Sequence, residues 1–291
     1  MNNTAIILTK NEEIHIERCI KSILPIFENI YVVDSFSSDR TKEIVKDFPV
    51  TFLENTFLNH SSQFNWALNQ INKKTEWVLR IDADEYLSQS LINEISNKLP
   101  HLDLSIKGIF VPRKIIFGEK LIRYGGINKT KILRLFKFGY GECDNKWMDE
   151  HIIVNGETLD FINPIIDHNL KSISWWISKH NNYSNKQVYE LLNFELHQKK
   201  SEHNIYYKSF KNRTNYYNST PIIRAFIYFF YRYFICFGFL DGISGFYFHF
   251  LQGLWYRLIV DIKFLEIKKQ IKNKNKSFKQ AINDYLFIDY D

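Results

Sequence analysis

Cysteine is scarce in this chain and does not pair up. Cys19, Cys143 and Cys236 lie far apart and are odd in number. That spacing offers neither a disulfide framework nor a zinc site, so a reducing compartment is expected. Long uncharged apolar runs are missing too. The longest charge-free stretch of the aromatic C-terminal third runs only from Gly242 to Tyr256, short of the roughly 20 apolar residues of a spanning helix. The opening, "MNNTAIILTKNEE", has no basic n-region and no extended apolar core. It reads as a first strand and not as a secretory signal, which predicts a cytoplasmic protein. No internal repeat and no low-complexity linker breaks the sequence.

Aromatics are plentiful, with 25 Phe and 17 Tyr among 291 residues, and 45% of the chain is hydrophobic. This suffices for one large globular domain and an appendage. The net charge of +6 sits in the last third, where residues 201–291 hold 13 Lys and Arg against 7 Asp and Glu. A basic segment of this kind suits an anionic surface, nucleic acid or lipid head groups. Its aromatic residues fall in apolar runs and do not alternate with Lys and Arg as a base-stacking groove requires. Nucleic acid is therefore not an expected partner.

The first half alternates between two periods. Strands are predicted at 5–9, 29–35, 50–55 and 76–82, and helices at 11–24, 38–48, 61–71 and 88–99, with caps at Ser38 or Asp39 and at Ser61 or Ser62. Such alternation implies parallel βαβ units, whose ligands bind beyond the carboxyl ends of the strands. Thr9, Asp34 and Asp82 all fall at such ends. Further strands are predicted at 107–118 and 129–139, around a Gly125-Gly126 turn. A helix is predicted to start near Ser172 or Ser174. From Pro221 the chain reads "PIIRAFIYFFYRYFICFGFLDGISGFYFHFLQGLWYRLIVDIKF", broken by Arg224, Arg232, Asp241 and Arg257. This segment reads as aromatic helices lying in a membrane interface, with the basic stretch 268–279 near anionic head groups. A buried helical pair packed on the sheet domain, or a true span, are the other readings.

"WVLRIDADEYL" places Asp82, Asp84 and Glu85 directly after an apolar strand. Three adjacent carboxylates repel one another, and a divalent cation offsets that repulsion. Hard carboxylate oxygens suit Mg²⁺ or Mn²⁺, which leave positions for phosphate oxygens. A nucleoside diphosphate supplies such oxygens. The alternative is a cluster that caps the next helix. A second acidic group, "WMDEH" (147–151), offers a carboxylate for proton abstraction.

"AIILTKNEE", "VVDSFSSDRT" and "WVLRIDADEYL" resemble the donor-binding half of a family 2 glycosyltransferase over roughly residues 1–205. "MDEH", "WWISKHNNYS" and "GFLDGISGFYFHFLQGLWYR" resemble a bacterial subgroup that builds lipopolysaccharide core, O-antigen or capsule. The resemblance implies an α/β GT-A fold, Rossmann-like, with a mostly parallel sheet flanked by helices. The GT-A domain is expected over 1–205 and a helical, basic, membrane-associating region over 206–291. It implies nucleotide and donor binding by Thr9, Asn11, Glu12, Asp34, Ser35, Arg80 and Asp82, with help from Asp39. Gly125 and Gly126 occupy the place of the family's glycine loop. Asp84 is implied as the direct metal ligand, joined by Asp82 and His168. The catalytic base is implied to be Glu150 or Asp149.

The expected activity is metal-dependent, inverting transfer from a nucleotide-sugar, a UDP-sugar for preference, to a lipid-linked glycan or lipopolysaccharide core acceptor. The expected location is the cytoplasmic face of the bacterial inner membrane, with peripheral contact through 221–264. Nucleotidyl transfer from the same Asp-x-Asp site is the competing enzyme class, but it leaves "MDEH" without a role.

Overall fold

The computed structural model describes residues 2–144, 151–197, 220–274 and 280. The described chain divides into two compact units. The first holds residues up to Arg123 and Ile127–Lys171, and the second holds Tyr124–Gly126 and everything from Ser172. The division thus falls at Lys171/Ser172 and not at 205/206, because the long helix from Ile173 packs with later helices.

The first unit is built on β1 (Thr4–Thr9), β2 (Asn29–Asp34), β3 (Thr51–Glu54) and β4 (Trp77–Asp82), in the order β3-β2-β1-β4 and all parallel. Every residue of β1 is buried, as expected of a central strand covered on both faces. Its side chains alternate between two cores. Ala5 and Ile7 join Ile16, Ile20 and Leu91 on one face, while Ile6 and Leu8 join Phe64, Val78 and Phe136 on the other. Helices α1 (Ile16–Ile23), α2 (Thr41–Val45), α3 (His60–Gln70) and α4 (Gln89–Lys98) connect and cover these strands. In α1 the buried residues are Ile16, Cys19, Ile20 and Ile23, the single apolar stripe of a surface helix.

The remaining strands are β5 (Glu85–Leu87), β6 (Ile106–Phe117), β7 (Lys120–Ile122), β8 (Lys131–Lys137), β9 (Gly141–Cys143), β10 (Ile152–Val154), β11 (Glu157–Asp160) and β12 (Ile165–His168). They extend the sheet as β4-β8-β6-β12-β5, with β7 and β11 also on β6, and β9 and β10 pairing separately. β8 runs antiparallel to both β4 and β6, so the parallel GT-A core carries a mixed flank.

Helix starts differ from the sequence expectation for local reasons. α1 begins at Ile16 because Asn11 adopts φ 55° and residues 10–15 form a loop. α3 is capped by Asn59, whose side chain accepts from the Ser62 N–H, and not by Ser61 or Ser62. Neither Ser38 nor Asp39 is the cap of α2, which starts after Arg40. α4 is capped by Ser88.

The second unit contains α5 (Ile173–His197) and the helices Pro221–Phe230, Gly242–His249 and Tyr256–Lys274. π-helical turns at Tyr231–Ile235 and Phe250–Trp255 and a 3₁₀ turn at Gly238–Asp241 link the last three. Its small core gathers Val188, Leu191, Leu192, Val260 and Ile267.

Candidate active site

Strand register brings the predicted residues to one edge. Thr9 lies opposite Asp34 across β1 and β2, and Leu8 lies opposite Asp82 across β1 and β4. The Thr9 hydroxyl is buried and, among the described residues, has no hydrogen-bond partner.

Two loops close over this edge. The Asn11 N–H donates to Ser37 Oγ at 2.7 Å, and Asn11 Oδ1 accepts from the Ser38 N–H at 2.7 Å. The Glu12 N–H donates to Thr41 Oγ1 at 2.8 Å, and the Glu13 N–H to Asp39 Oδ2 at 3.1 Å. Asp39 also accepts from the Thr41 N–H and hydroxyl. Burial alone would raise its pKa, but these hydrogen bonds hold it below the ordinary value. Asp34 is 1% exposed, and both of its carboxylate oxygens accept from Ser37. It therefore shapes the loop, and any base contact must share oxygens already engaged. Ser35 is buried and its Oγ accepts from Gln63 Nε2.

Sequence reasoning missed the partners of Glu12. Lys171 Nζ donates to Glu12 Oε1 and to the Asn11 carbonyl, both at 2.7 Å. Buried His15 accepts from the Leu170 N–H through Nε2. Its Nδ1 is left to donate to Glu12 Oε2. The only sequence signal was the position of Lys171 just after a strand carrying Asp167 and His168.

Beyond β4 the carboxylates are divided among arginines. Arg134 of β8 reaches Asp82 Oδ2 at 3.0 Å and Glu85 Oε1 at 2.8 Å. Arg113 lies 3.6 Å from Glu85 and also pairs with Asp167. Glu85 Oε2 accepts from the Asp82 N–H at 3.1 Å. Burial favours the neutral form of Asp82, but the charges of Arg134, Arg80, His60 and Arg113 outweigh it and hold its pKa well below the carboxylate range. Glu85 goes the other way. Burial, reinforced by neighbouring Asp82, pushes it up to about 7 against the pull of Arg134. Two carboxylates share one guanidinium, and the more deeply buried one takes the proton. Burial would lower the pKa of Arg134, but the two carboxylates more than reverse this.

Arg80 is buried, 3.9 Å from Asp82, and donates to Cys143 Sγ. Its place is behind Asp82, where it supports that charge and does not face a donor. This corrects its sequence-based assignment as a donor-binding residue.

Asp84 is half-buried and freer. Its Oδ2 accepts from Asn169 Nδ2 at 3.0 Å, and its carbonyl accepts from the His168 N–H at 3.1 Å. Arg18, on α1, ties the two residues together. Its guanidinium donates to the His168 carbonyl at 2.6 Å and the Asp84 carbonyl at 3.4 Å, and lies 3.1 Å from His168 Nδ1. His168 Nε2 lies 3.2 Å from the Gly118 carbonyl. Nδ1 therefore accepts and Nε2 donates. Burial and the Arg18 charge lower the pKa of His168.

With both ring nitrogens engaged, His168 has no lone pair to offer a metal in this arrangement. Among the described residues no three His, Cys, Asp or Glu form a metal-holding group, so the expected set of Asp84, Asp82 and His168 is not assembled. The donor chemistry fits a hard divalent cation in a narrower form. Asp84 keeps Oδ1 outside its Asn169 bond, Asp82 lies beside it, and such a cation takes its remaining oxygens from phosphate and water.

Two predicted groups fall elsewhere. Glu150 and Asp149 lie outside the described residues. Gly125 and Gly126 belong to the second unit, both at φ 78°. There the Gly125 N–H donates to the Cys236 carbonyl at 2.8 Å, and Arg232 Nε donates to the Gly125 carbonyl at 3.2 Å. The Tyr124 N–H donates to buried Asp241 at 2.9 Å. A Cβ on Gly125 would stand 2.0 Å from the His249 ring. Gly125→Ala is therefore expected to destabilise the second unit by about 2 kcal/mol or more, from positive φ and overpacking together. Thermal unfolding would measure this, and adding His249→Ala should restore part of the loss. In α5, Trp176 stacks on His180 at 3.5 Å between ring centroids, and His180 meets Tyr256 edge-on at 5.9 Å. That aromatic stripe is at least partly core.

Residues 4–141 match the family described as Glycosyl transferase family 2. An uncharacterized glycosyltransferase of Rickettsia bellii is 30% identical over 203 residues, covering 65% of this chain and 67% of that one. The chain belongs to glycosyltransferase family 2. An uncharacterized glycosyltransferase of Rickettsia conorii extends the likeness to 97% of this chain and 94% of its own, at 28% identity. Among solved structures, glucosyl-3-phosphoglycerate synthase from Mycobacterium tuberculosis, crystallised with Mn²⁺, uridine diphosphate and phosphoglyceric acid, matches 38% of this chain and 43% of its own. Its TM-score is 0.34 and its identity 18%. The family 2 match spans the sheet edge bearing Thr9, Asp34, Asp82 and Asp84. It ends before the second acidic cluster.

Proposed function

We propose that this family 2 glycosyltransferase moves a sugar, with inversion, from a nucleotide-sugar to a lipid-linked glycan or lipopolysaccharide core acceptor, a UDP-sugar being the favoured donor. The observation that carries the reading is the sheet edge. Thr9, Asp34 and Asp82 are brought together by register, and Asp84 follows two residues on. The nucleoside would lie over the loops of Asn11, Glu12 and Ser35. Thr9 brings a buried hydroxyl that still lacks a partner.

Mg²⁺ or Mn²⁺, held by Asp84 with Asp82 beside it, would supply neutralisation of the charge on the departing diphosphate. The chain's own residues prepare this. Arg134 and Arg80 keep Asp82 ionised, while Asn169 and Arg18 fix the side chain and backbone of Asp84. Glu150, or Asp149, takes the proton of the acceptor hydroxyl as its oxygen attacks the anomeric carbon and the bond to the diphosphate breaks. The work is placed at the cytoplasmic face of the bacterial inner membrane, where residues 221–264 meet lipid.

Titration calorimetry with UDP tests the donor half. Binding is expected with Mn²⁺ and should weaken at least about tenfold when EDTA replaces it. Equal binding in EDTA would overturn the metal assignment. Binding of GDP, CMP or ADP in place of UDP would overturn the choice of nucleotide.

A further inference from the structure

The segment 221–250 of the second unit is folded inside out. Every exposed position from 222 to 250 is Ile, Leu, Phe, Tyr or Gly, and no charged residue is exposed there. Ile223, Ile227, Phe230, Phe237 and Ile243 are each more than half exposed. The charges that interrupt this stretch in the sequence are turned inward. Arg224 is buried in an ion pair with Asp261. Buried Asp241 accepts from the Tyr124 N–H, and Arg232 donates to the Gly125 carbonyl and lies over the rings of Tyr228 and Phe248.

A polar interior beneath a wholly apolar exterior suits hydrocarbon and not water, since intramembrane polar groups face inward and are paired. No single described helix is long and apolar enough to cross a membrane, but Pro221–Ile235 and Gly238–Lys272 pass that test together, bent by 69°. The first arm is about 22 Å long, less than the roughly 30 Å of a hydrocarbon core. The second arm carries exposed Lys268, Lys269 and Lys272 beyond its apolar part, matched in charge to anionic head groups.

We propose that residues 221–256 form a re-entrant hairpin, inserted into the hydrocarbon of one leaflet with its bend at Phe237 deepest and both arms returning to the same face. This rests on the membrane location given above and goes beyond peripheral contact. The occupant of the apolar face is lipid acyl chain.

The test uses the full chain with Cys236→Ser, since Cys19 and Cys143 are buried while Cys236 is partly exposed. The Gly125 bond runs to the backbone of residue 236, so that change leaves it in place. Single cysteines are placed by Thr220→Cys, Phe237→Cys and Lys268→Cys and challenged with a membrane-impermeant maleimide, with and without phosphatidylcholine–phosphatidylglycerol vesicles.

Without vesicles all three should react. With vesicles Phe237→Cys alone should be protected, at least about tenfold in rate, and should stay so in about 1 M salt, which screens head-group attraction. Reaction at Phe237→Cys despite vesicles, or protection lost in salt, would overturn insertion. Loss of reaction at Thr220→Cys or Lys268→Cys would mean a span, and protection without vesicles a face between two copies. Either would overturn the hairpin. Ile227→Glu should abolish vesicle binding while UDP calorimetry is unchanged. UDP binding that fails even in the parent chain would count against the transferase reading alone.

Discussion

Arg134→Met is expected to destabilise the first unit by about 3–5 kcal/mol, the scale for removing one partner of a buried ion pair. On a unit of this size that corresponds to a fall in Tm of roughly 10 °C. Arg134 is buried and serves two carboxylates at once, at 3.0 Å and 2.8 Å. Without it Asp82 keeps only Arg80, at 3.9 Å, and Glu85 keeps only Arg113, at 3.6 Å. Adding Asp82→Asn and Glu85→Gln should recover much of the loss, because the remaining cost is that of unpaired charge.

The same cluster sets a pH dependence. In the folded chain Glu85 is raised from 4.5 to about 7, so the folded state keeps a proton that the unfolded state releases. The contribution is full below about 4.5 and is lost as pH rises toward about 7. Glu85→Gln has no such proton. Its Tm relative to the parent should climb steadily between those values, in EDTA so that no metal intervenes. A flat difference would show that Glu85 is ionised throughout.

Asp84→Ala is expected to lower kcat/KM by about a hundredfold or more while costing little stability. Even residues that only support a metal ligand are worth 10- to 100-fold, so a ligand sits at or above that range. The structural cost is small because Asp84 is half-buried and its side chain makes one bond, to Asn169, worth about 1 kcal/mol. Asp82→Ala makes the informative contrast. It should lose activity and stability together, because it strands the charge of Arg134. Thermal melts beside nucleotide-sugar turnover would separate the two. Comparable destabilisation in both variants would show that Asp84 is a structural carboxylate.

What the sequence made legible was local. The alternation of β1 to β4 with helices was visible because strand and helix periods differ. Thr9, Asp34 and Asp82 could be placed at strand ends before any register was known. The partners of those residues were not visible. Arg134 meets Asp82 only because β8 runs antiparallel to β4, setting Leu135 opposite Leu79, and strand direction leaves no mark in a single sequence. Arg18 and His168 meet across 150 positions. The choice of Asn59 over Ser61 as a cap turned on backbone shape, since all these residue types cap helices. The glycine pair was legible as a turn, but its clamp by Cys236, Arg232 and Asp241 depends on a fold more than 100 residues downstream.

That clamp bears on how such a chain can change over generations. The second unit owns three residues, Tyr124–Gly126, that are encoded in the middle of the first. A recombination event joining everything before Ser172 to a foreign tail would inherit the loop without the Cys236 carbonyl, Arg232 and Asp241 that hold it. The two units therefore cannot be exchanged as independent cassettes. A lineage that acquires a new C-terminal hairpin must also rewrite three codons far upstream, and chimaeras built at Lys171/Ser172 should be rescued by transplanting residues 124–126 together with the tail.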